Sequence, residues 1–203
     1  MEIYSIITNG FQENTYIFAK GKNAFIVDPG GDFEKIVQVL EVQNLQPQFI
    51  LLTHGHGDHI GAVNQLRDKY NIKVYAHRLE KELLEDTDLN VSKMLGNPVT
   101  VEADLFFEDK DIIDFEGEKI EVIHTPGHTM GGVCFYFNDI LVSGDTLFRG
   151  SVGRSDLATG NMSQLIDSLN NKLMKLPDET KVLPGHGQIS TIVFERENNP
   201  YIG

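Results

Sequence analysis

The chain has one cysteine, Cys134, among its 203 residues. That excludes an intramolecular disulfide and favours a reducing compartment. No run approaches the ~18 consecutive apolar residues that a membrane-spanning helix needs. The start, MEIYSIITNG, lacks a basic stretch followed by an apolar one, so no export signal is expected. These absences point to the cytoplasm and to no membrane partner. Basic residues are also short: 17 Lys and Arg stand against 30 Asp and Glu, a formal net charge of -13. A field of that sign repels nucleic acid and argues against such a partner. There is no low-complexity tract, linker or short repeat, which leaves a single domain over residues 1–203.

What is present is ordinary for a globular protein, with 40% apolar and 23% charged residues. Residues 2–8, 14–19 and 24–28 are β-branched or aromatic runs between glycine-containing turns and predict strands. The spacing of Phe33, Ile36, Val37 and Leu40 predicts a helix over 32–42. QFILLT at 48–53 reads as a buried strand, followed by a helix over 59–70 and a strand over 73–76. A helix over 78–96, broken near Thr87, is expected next. Strands follow at 104–107, 111–114, 119–124, 133–137 and 140–143. The last elements are a helix over 163–175, a strand over 181–183 and a short helix over 191–198. Strands and helices alternate through both halves, which gives the α/β class.

The chemistry concentrates in His54-Gly55-His56-Gly57-Asp58-His59, directly after a predicted apolar strand. Residues two apart in extended chain point the same way, so His54 and His56 can face one point. Gly55 and Gly57 allow the backbone to turn tightly. Asp58 and His59 then fall at the mouth of the following helix, whose positive end favours an ionised aspartate, and reach a second point. A lone histidine is more often structural than a ligand, but this whole string after a buried strand is not expected by chance. Three further loops each follow a predicted strand and each carries His or Asp beside glycine: His124-Thr-Pro-Gly-His128-Thr, Gly144-Asp145-Thr146 and Pro184-Gly185-His186-Gly187. Loops at strand ends are where α/β sheets collect their chemistry. Imidazole and carboxylate together suit zinc, iron or manganese.

The ordered series THGHGDH, HTPGHT, SGDTLF and PGHG, with VDPGGD before it, resembles the motif series of the metallo-β-lactamase superfamily over about residues 5–200. The resemblance implies an αββα sandwich, two mixed sheets flanked by helices, with metals at one edge. It implies that His54, His56 and His128 hold one divalent metal, that Asp58, His59 and His186 hold a second, and that Asp145 bridges both. Zinc is the expected element, with iron and manganese also compatible. His124 matches a family position that is not a ligand, and His77 matches no motif and reads as surface or core. Asp28, Thr53 and Thr125 are candidates to orient the ligands by hydrogen bonds; each is as readily a turn or cap residue.

Within that superfamily, FRGSVGRSD at 148–156 and the ending GHGQIS…ERENNP resemble the small glyoxalase II-like thioesterases. The intact Asp145 and the missing export signal separate the chain from classical β-lactamases. The implied reaction is hydrolysis of an acyl thioester of the S-lactoylglutathione type, a small-molecule substrate, by a metal-activated hydroxide that Asp58 helps to orient. Full-length glyoxalase II enzymes carry a longer helical C-terminal segment, so the thiol carrier stays open. The rival chemistry is a persulfide dioxygenase with one iron on His54, His128 and Asp145. A metal-binding scaffold without turnover is the non-enzymatic alternative. Arg149 and Arg154 flank the Gly150–Gly153 loop and are candidates to meet a substrate carboxylate, against an ion pair with Asp156 or another acid. Cys134 in VCFYF reads as a buried structural thiol. Oligomeric state leaves no trace in the sequence.

Overall fold

The computed structural model of the protein describes residues 1–203. The chain gathers into two compact units, one of Met1–Ala76 with Lys81–Phe106, the other of His77–Glu80 with Phe107–Gly203.

In the first unit, β1 (Glu2–Ile7), β2 (Asn14–Lys20) and β3 (Asn23–Val27) form an antiparallel meander. Helix α1 (Phe33–Val42) returns the chain so that β4 (Gln46–Leu51) runs parallel to β3. Helices α2 (Gly57–Ile60) and α3 (Val63–Tyr70) return it again, and β5 (Lys73–His77) runs parallel to β4. A 3₁₀ turn (Arg78–Glu80), α4 (Lys81–Glu85) and β6 (Leu105–Phe107) complete the six-stranded order β1-β2-β3-β4-β5-β6. One sheet face packs Ile17, Ile26 and Ile50 against Ile36 and Leu40 of α1 and Leu66 of α3. Alternation sends Phe18, Phe25 and Phe49 the other way, where they stack at 5.0 and 5.5 Å between ring centroids. Burial on both faces is why β2 and β3 are nearly continuous apolar runs rather than alternating ones.

The second unit starts its sheet with β7 (Ile112–Phe115), β8 (Glu118–His124), β9 (Val133–Phe137) and β10 (Ile140–Gly144), all antiparallel neighbours. A small hairpin, β11 (Leu147–Phe148) with β12 (Ser151–Val152), stands apart. Helix α5 (Met162–Asn171), a 3₁₀ turn (Leu173–Lys175), β13 (Lys181–Pro184), β14 (Ser190–Thr191) and α6 (Ile192–Asn198) follow. Strand β13 lies parallel to β10, giving the order β14-β13-β10-β9-β8-β7. Leu165 and Leu169 of α5 pack with Cys134, Leu141 and Val182. The Asn161 side chain caps α5 by accepting from the Gln164 N–H. Both sheets are mixed and carry helices, as the α/β reading expects.

Three expectations need correction. The single helix over 59–70 is two, because the Ala62 N–H is drawn to Pro29 O at 2.9 Å and the helical ladder is interrupted there. The helix over 78–96 ends at Glu85. Beyond it the Asp86 carboxylate accepts from the Asp88 and Leu89 N–H groups, and Val91 turns to φ 58, an Asx-type turn that competes with helix. The expected helix over 163–175 stops at Asn171 and tightens into the 3₁₀ turn. No helix is long and apolar enough to cross a membrane.

His77 is a core residue, 2% exposed, with its ring stacked on His124 at 4.3 Å. Its Nδ1 accepts from the Leu79 N–H, and Nε2 lies 3.8 Å from Glu108. Burial, then the neighbouring His124, hold its pKa down to about 4; Glu108 and Asp109 pull the other way, and Arg78 adds to the depression. The unfolded chain takes up this proton below about 6.5 while the folded one stays neutral. Stability tied to His77 is therefore complete above that pH and falls away as pH drops toward 4, by up to about 3 kcal/mol. Urea unfolding of His77→Gln from pH 7.5 to 4 should show a shallower acid-side decline than the parent chain. Parallel curves would contradict this.

Candidate metal centre

In the first unit the parallel pairing of β3 and β4 brings Asp28 beside Thr53, since both follow the C-terminal ends of adjacent strands and the Asp28 N–H donates to Leu51 O at 3.1 Å. The Asp28 carboxylate then organises the histidine loop. Its Oδ1 accepts from the Thr53 N–H at 2.8 Å, and its Oδ2 accepts from Thr53 Oγ1 at 2.5 Å and faces His59 Nδ1 at 3.0 Å. Thr53 Oγ1 has given its hydrogen to Asp28, so it can only accept at 3.1 Å from His54 Nδ1. Both rings therefore carry hydrogen on Nδ1 and present the Nε2 lone pair, the state a metal requires. Donor atoms of Asp28, His54 and His59 all lie within 4.8 Å of one another. The His54 ring is 4.8 Å from that of His56 and 4.2 Å from that of His59.

The glycines of this loop are required for space rather than for a left-handed turn. Neither Gly55 nor Gly57 has positive φ. A Cβ on Gly57 would lie 2.6 Å from Ser92 Cβ, and one on Gly55 would lie 2.9 Å from Leu83 Cδ2. Behind Asp28 sits Glu13, 0% exposed, whose Oε2 stands 3.3 Å from the Thr8 hydroxyl and 3.0 Å from the Thr15 hydroxyl. The Thr15 hydroxyl in turn reaches Asp28 O at 2.9 Å. Burial pushes the Glu13 carboxyl well above the usual carboxylate range. Nothing in the sequence marks Glu13, because it stands immediately before β2 and in no motif.

In the second unit the parallel pair β10–β13 puts Gly144 opposite Pro184, and the Gly185 N–H donates to Gly144 O at 2.8 Å. Asp145 and His186 therefore leave adjacent strand ends together. Asp145 Oδ2 is 3.6 Å from His186 Nε2 and 3.6 Å from His128 Nε2. That is too long for a direct hydrogen bond and leaves the three donor atoms around a shared space. His128 Nδ1 donates to Arg154 O at 2.6 Å, which again leaves Nε2 as the lone-pair nitrogen. This main-chain acceptor has no sequence signal. The Phe148 ring meets His186 edge-on at 5.9 Å.

The other sequence candidates sit as follows. Thr125 is buried and bonds Thr146 Oγ1 at 3.0 Å, one residue from Asp145 rather than on a histidine. His124 is held by its Nε2 to Met130 O at 2.9 Å. Arg154 forms a two-pronged pair with Asp156 at 2.7 and 2.9 Å. Arg149 stacks on Phe194 at 3.9 Å and donates to Ile189 O. Cys134 is fully buried, and burial pushes its thiol up to about 11, so it is no nucleophile. The donors in both units are imidazole nitrogens and carboxylate oxygens, a set that fits divalent zinc, iron or manganese.

The model of the metallo-beta-lactamase superfamily matches residues 8–186. A "Probable metallo-hydrolase YqgX" of Bacillus subtilis (strain 168) is 42% identical over 195 residues, covering 94% of this chain and 92% of that protein. The "Hydroxyacylglutathione hydrolase GloC" of Haemophilus influenzae is 34% identical, covering 100% of this chain and 98% of that one. Among solved structures, the BLEG-1 B3 metallo-beta-lactamase superposes with a TM-score of 0.95 at 40% identity, covering 99% of each chain. TTHA1623, solved in a di-iron-bound form, superposes at 0.88 with 36% identity, covering 98% of this chain and 100% of that one.

Asp28→Asn would place an amide donor where Thr53 and His59 now donate. Chelator competition should show a metal affinity about 10- to 100-fold weaker, the usual cost of losing a partner that orients a ligand. An affinity within twofold of the parent would show that Asp28 does not orient these rings.

Proposed function

The chain belongs to the metallo-β-lactamase superfamily, and from that premise we propose that it is a metal-dependent hydrolase of acyl thioesters, of the S-lactoylglutathione type, acting as one functional domain. In this reading His54, His56 and His128 hold one divalent metal, Asp58, His59 and His186 hold the other, and Asp145 serves both. The observation that carries it is Asp145, whose Oδ2 stands 3.6 Å from imidazole nitrogens belonging to each of the two assigned sets. The name of the GloC relative supports the thioester class. The di-iron-bound form of TTHA1623 supports a two-metal count.

Divalent metals held by these residues would supply Lewis acidity and a water with its pKa lowered toward about 7, so attack on a carbonyl would need no serine or cysteine nucleophile. The chain's own residues do the rest. Asp28 and Thr53 keep His54 and His59 in the tautomer that presents Nε2. The Arg154 carbonyl does the same for His128. Asp58, a ligand in this reading, also helps to orient the attacking water. A thiolate is a good leaving group, so no strong general acid is called for. Arg149 and Arg154, both exposed, are the proposed contacts for a carboxylate on the substrate; Arg154 would first have to part from Asp156.

The test is an assay of zinc-loaded protein against S-lactoylglutathione, other acyl thioesters, a chromogenic cephalosporin, and a persulfide with ferrous iron and an oxygen electrode. Thioester hydrolysis is expected, abolished by chelation, restored by zinc, and reduced to background in Asp145→Ala. Cephalosporin cleavage without thioester turnover would make the chain a β-lactamase like its BLEG-1 neighbour. Oxygen consumption with only the persulfide would make it a dioxygenase. Near-normal turnover in Asp145→Ala would refute the shared-ligand role.

A further inference from the structure

Helix α6 carries Glu195, the first residue of ERENNP, a carboxylate with 0% exposure that belongs to neither assigned ligand set. Three donors converge on it. Its Oε1 accepts from Ser190 Oγ. Its Oε2 accepts from the Gly150 N–H at 2.9 Å and from Asn199 Nδ2 at 2.8 Å. The same Asn199 amide reaches Ser151 O at 3.0 Å. Gly150 lies in the turn of the β11–β12 hairpin and Ser151 opens β12, so α6 grips that hairpin by its main chain.

The hairpin touches the metal-ligand candidates at both ends. Before the tip, the Phe148 ring packs edge-on against His186. After the tip, the chain passes through Gly153, where a Cβ would lie 1.9 Å from Asp145 O and 3.0 Å from His128 Nδ1. The next carbonyl, Arg154 O, accepts the Nδ1 hydrogen of His128 at 2.6 Å. Displacing the hairpin therefore moves the group that sets the tautomer and direction of His128, together with the ring that backs His186. A buried carboxylate is costly unless fully hydrogen-bonded, and this one has its donors supplied by the segments it joins.

We propose that Glu195 is a positioning residue for the metal centre: by holding the β11–β12 hairpin it fixes His128 through the Arg154 carbonyl and His186 through Phe148. The inference rests on the ligand assignment of the proposed function, and on none of its substrate chemistry.

The test compares Glu195→Leu with Glu195→Gln. Leucine fills the space but strands the Gly150 N–H and the Asn199 amide. Glutamine can turn its carbonyl oxygen to both and its NH₂ to the Ser190 hydroxyl, which accepts equally well. Chelator competition should give a zinc affinity about 10-fold or more weaker for Glu195→Leu, with Glu195→Gln within about threefold of the parent. Proton–nitrogen NMR of the histidine rings should show the His128 Nδ1–H signal, assigned by its loss in His128→Gln, shifted or broadened in the leucine variant and retained in the glutamine one. If Glu195→Leu does not fold, Asn199→Leu removes the grip on Ser151 and is held to the same expectations. Unchanged zinc affinity and an unchanged His128 signal, with loss only of thermal stability, would overturn the proposal. The outcome is separable from that of the ligand assignment. If His128→Gln itself leaves zinc affinity intact, the assignment fails; if it abolishes binding while the Glu195 and Asn199 variants do not weaken it, only the present inference fails.

Discussion

Strand direction governs the sheet edge from which each candidate ligand leaves. Each sheet is mainly antiparallel at one side and contains parallel neighbours, β3–β4–β5 in the first unit and β10–β13 in the second. In a parallel pair both C-terminal ends emerge at the same edge, and the loops beyond them lie side by side. Asp28 and Thr53 leave β3 and β4 in this way, and Asp145 and His186 leave β10 and β13. Strand β8 runs in the direction of β10, because β9 is antiparallel to both, so the loop bearing His128 emerges at that edge too. An all-antiparallel meander would have sent alternate loops to opposite edges and scattered the donors.

Edge placement alone does not make a metal ligand, because a neutral imidazole has two tautomers and only one leaves Nε2 open. The chain settles that choice with groups behind the rings. A carboxylate serves His59, a hydroxyl relayed from the same carboxylate serves His54, and a peptide carbonyl serves His128. Buried acids stand a layer further back, Glu13 behind Asp28 and Glu195 behind the hairpin that supplies the carbonyl. Such nested hydrogen bonding lowers the cost of holding several donors close together before any cation arrives.

Much of this was legible in the amino-acid order, and the reasons for the remainder are physical. Strand and helix alternation gave the α/β class, and the two mixed sheets with helices match the sandwich of the family. The break in the helix over 59–70 leaves no local signal because it is made by a tertiary bond, Ala62 N–H to Pro29 O, between residues far apart in sequence. The two-residue strands β11, β12 and β14 are too short to show periodicity. At the candidate centre, histidines and aspartates announce themselves by type and spacing. Arg154 drew notice for its guanidinium, yet the group that touches His128 is its carbonyl, which every residue possesses. Glu13 looks like one more of the 30 acidic residues until burial singles it out, and Glu195 stands in the ERENNP stretch without any sign there of what it bonds.

The proposed function requires two cations with Asp145 as their common ligand. Elemental analysis of chain purified and saturated under metal-replete conditions, then freed of loosely bound ions, measures this most directly. Two ions per chain, of zinc, iron or manganese, are predicted. Saturation at one ion, or no retained metal, would contradict the account.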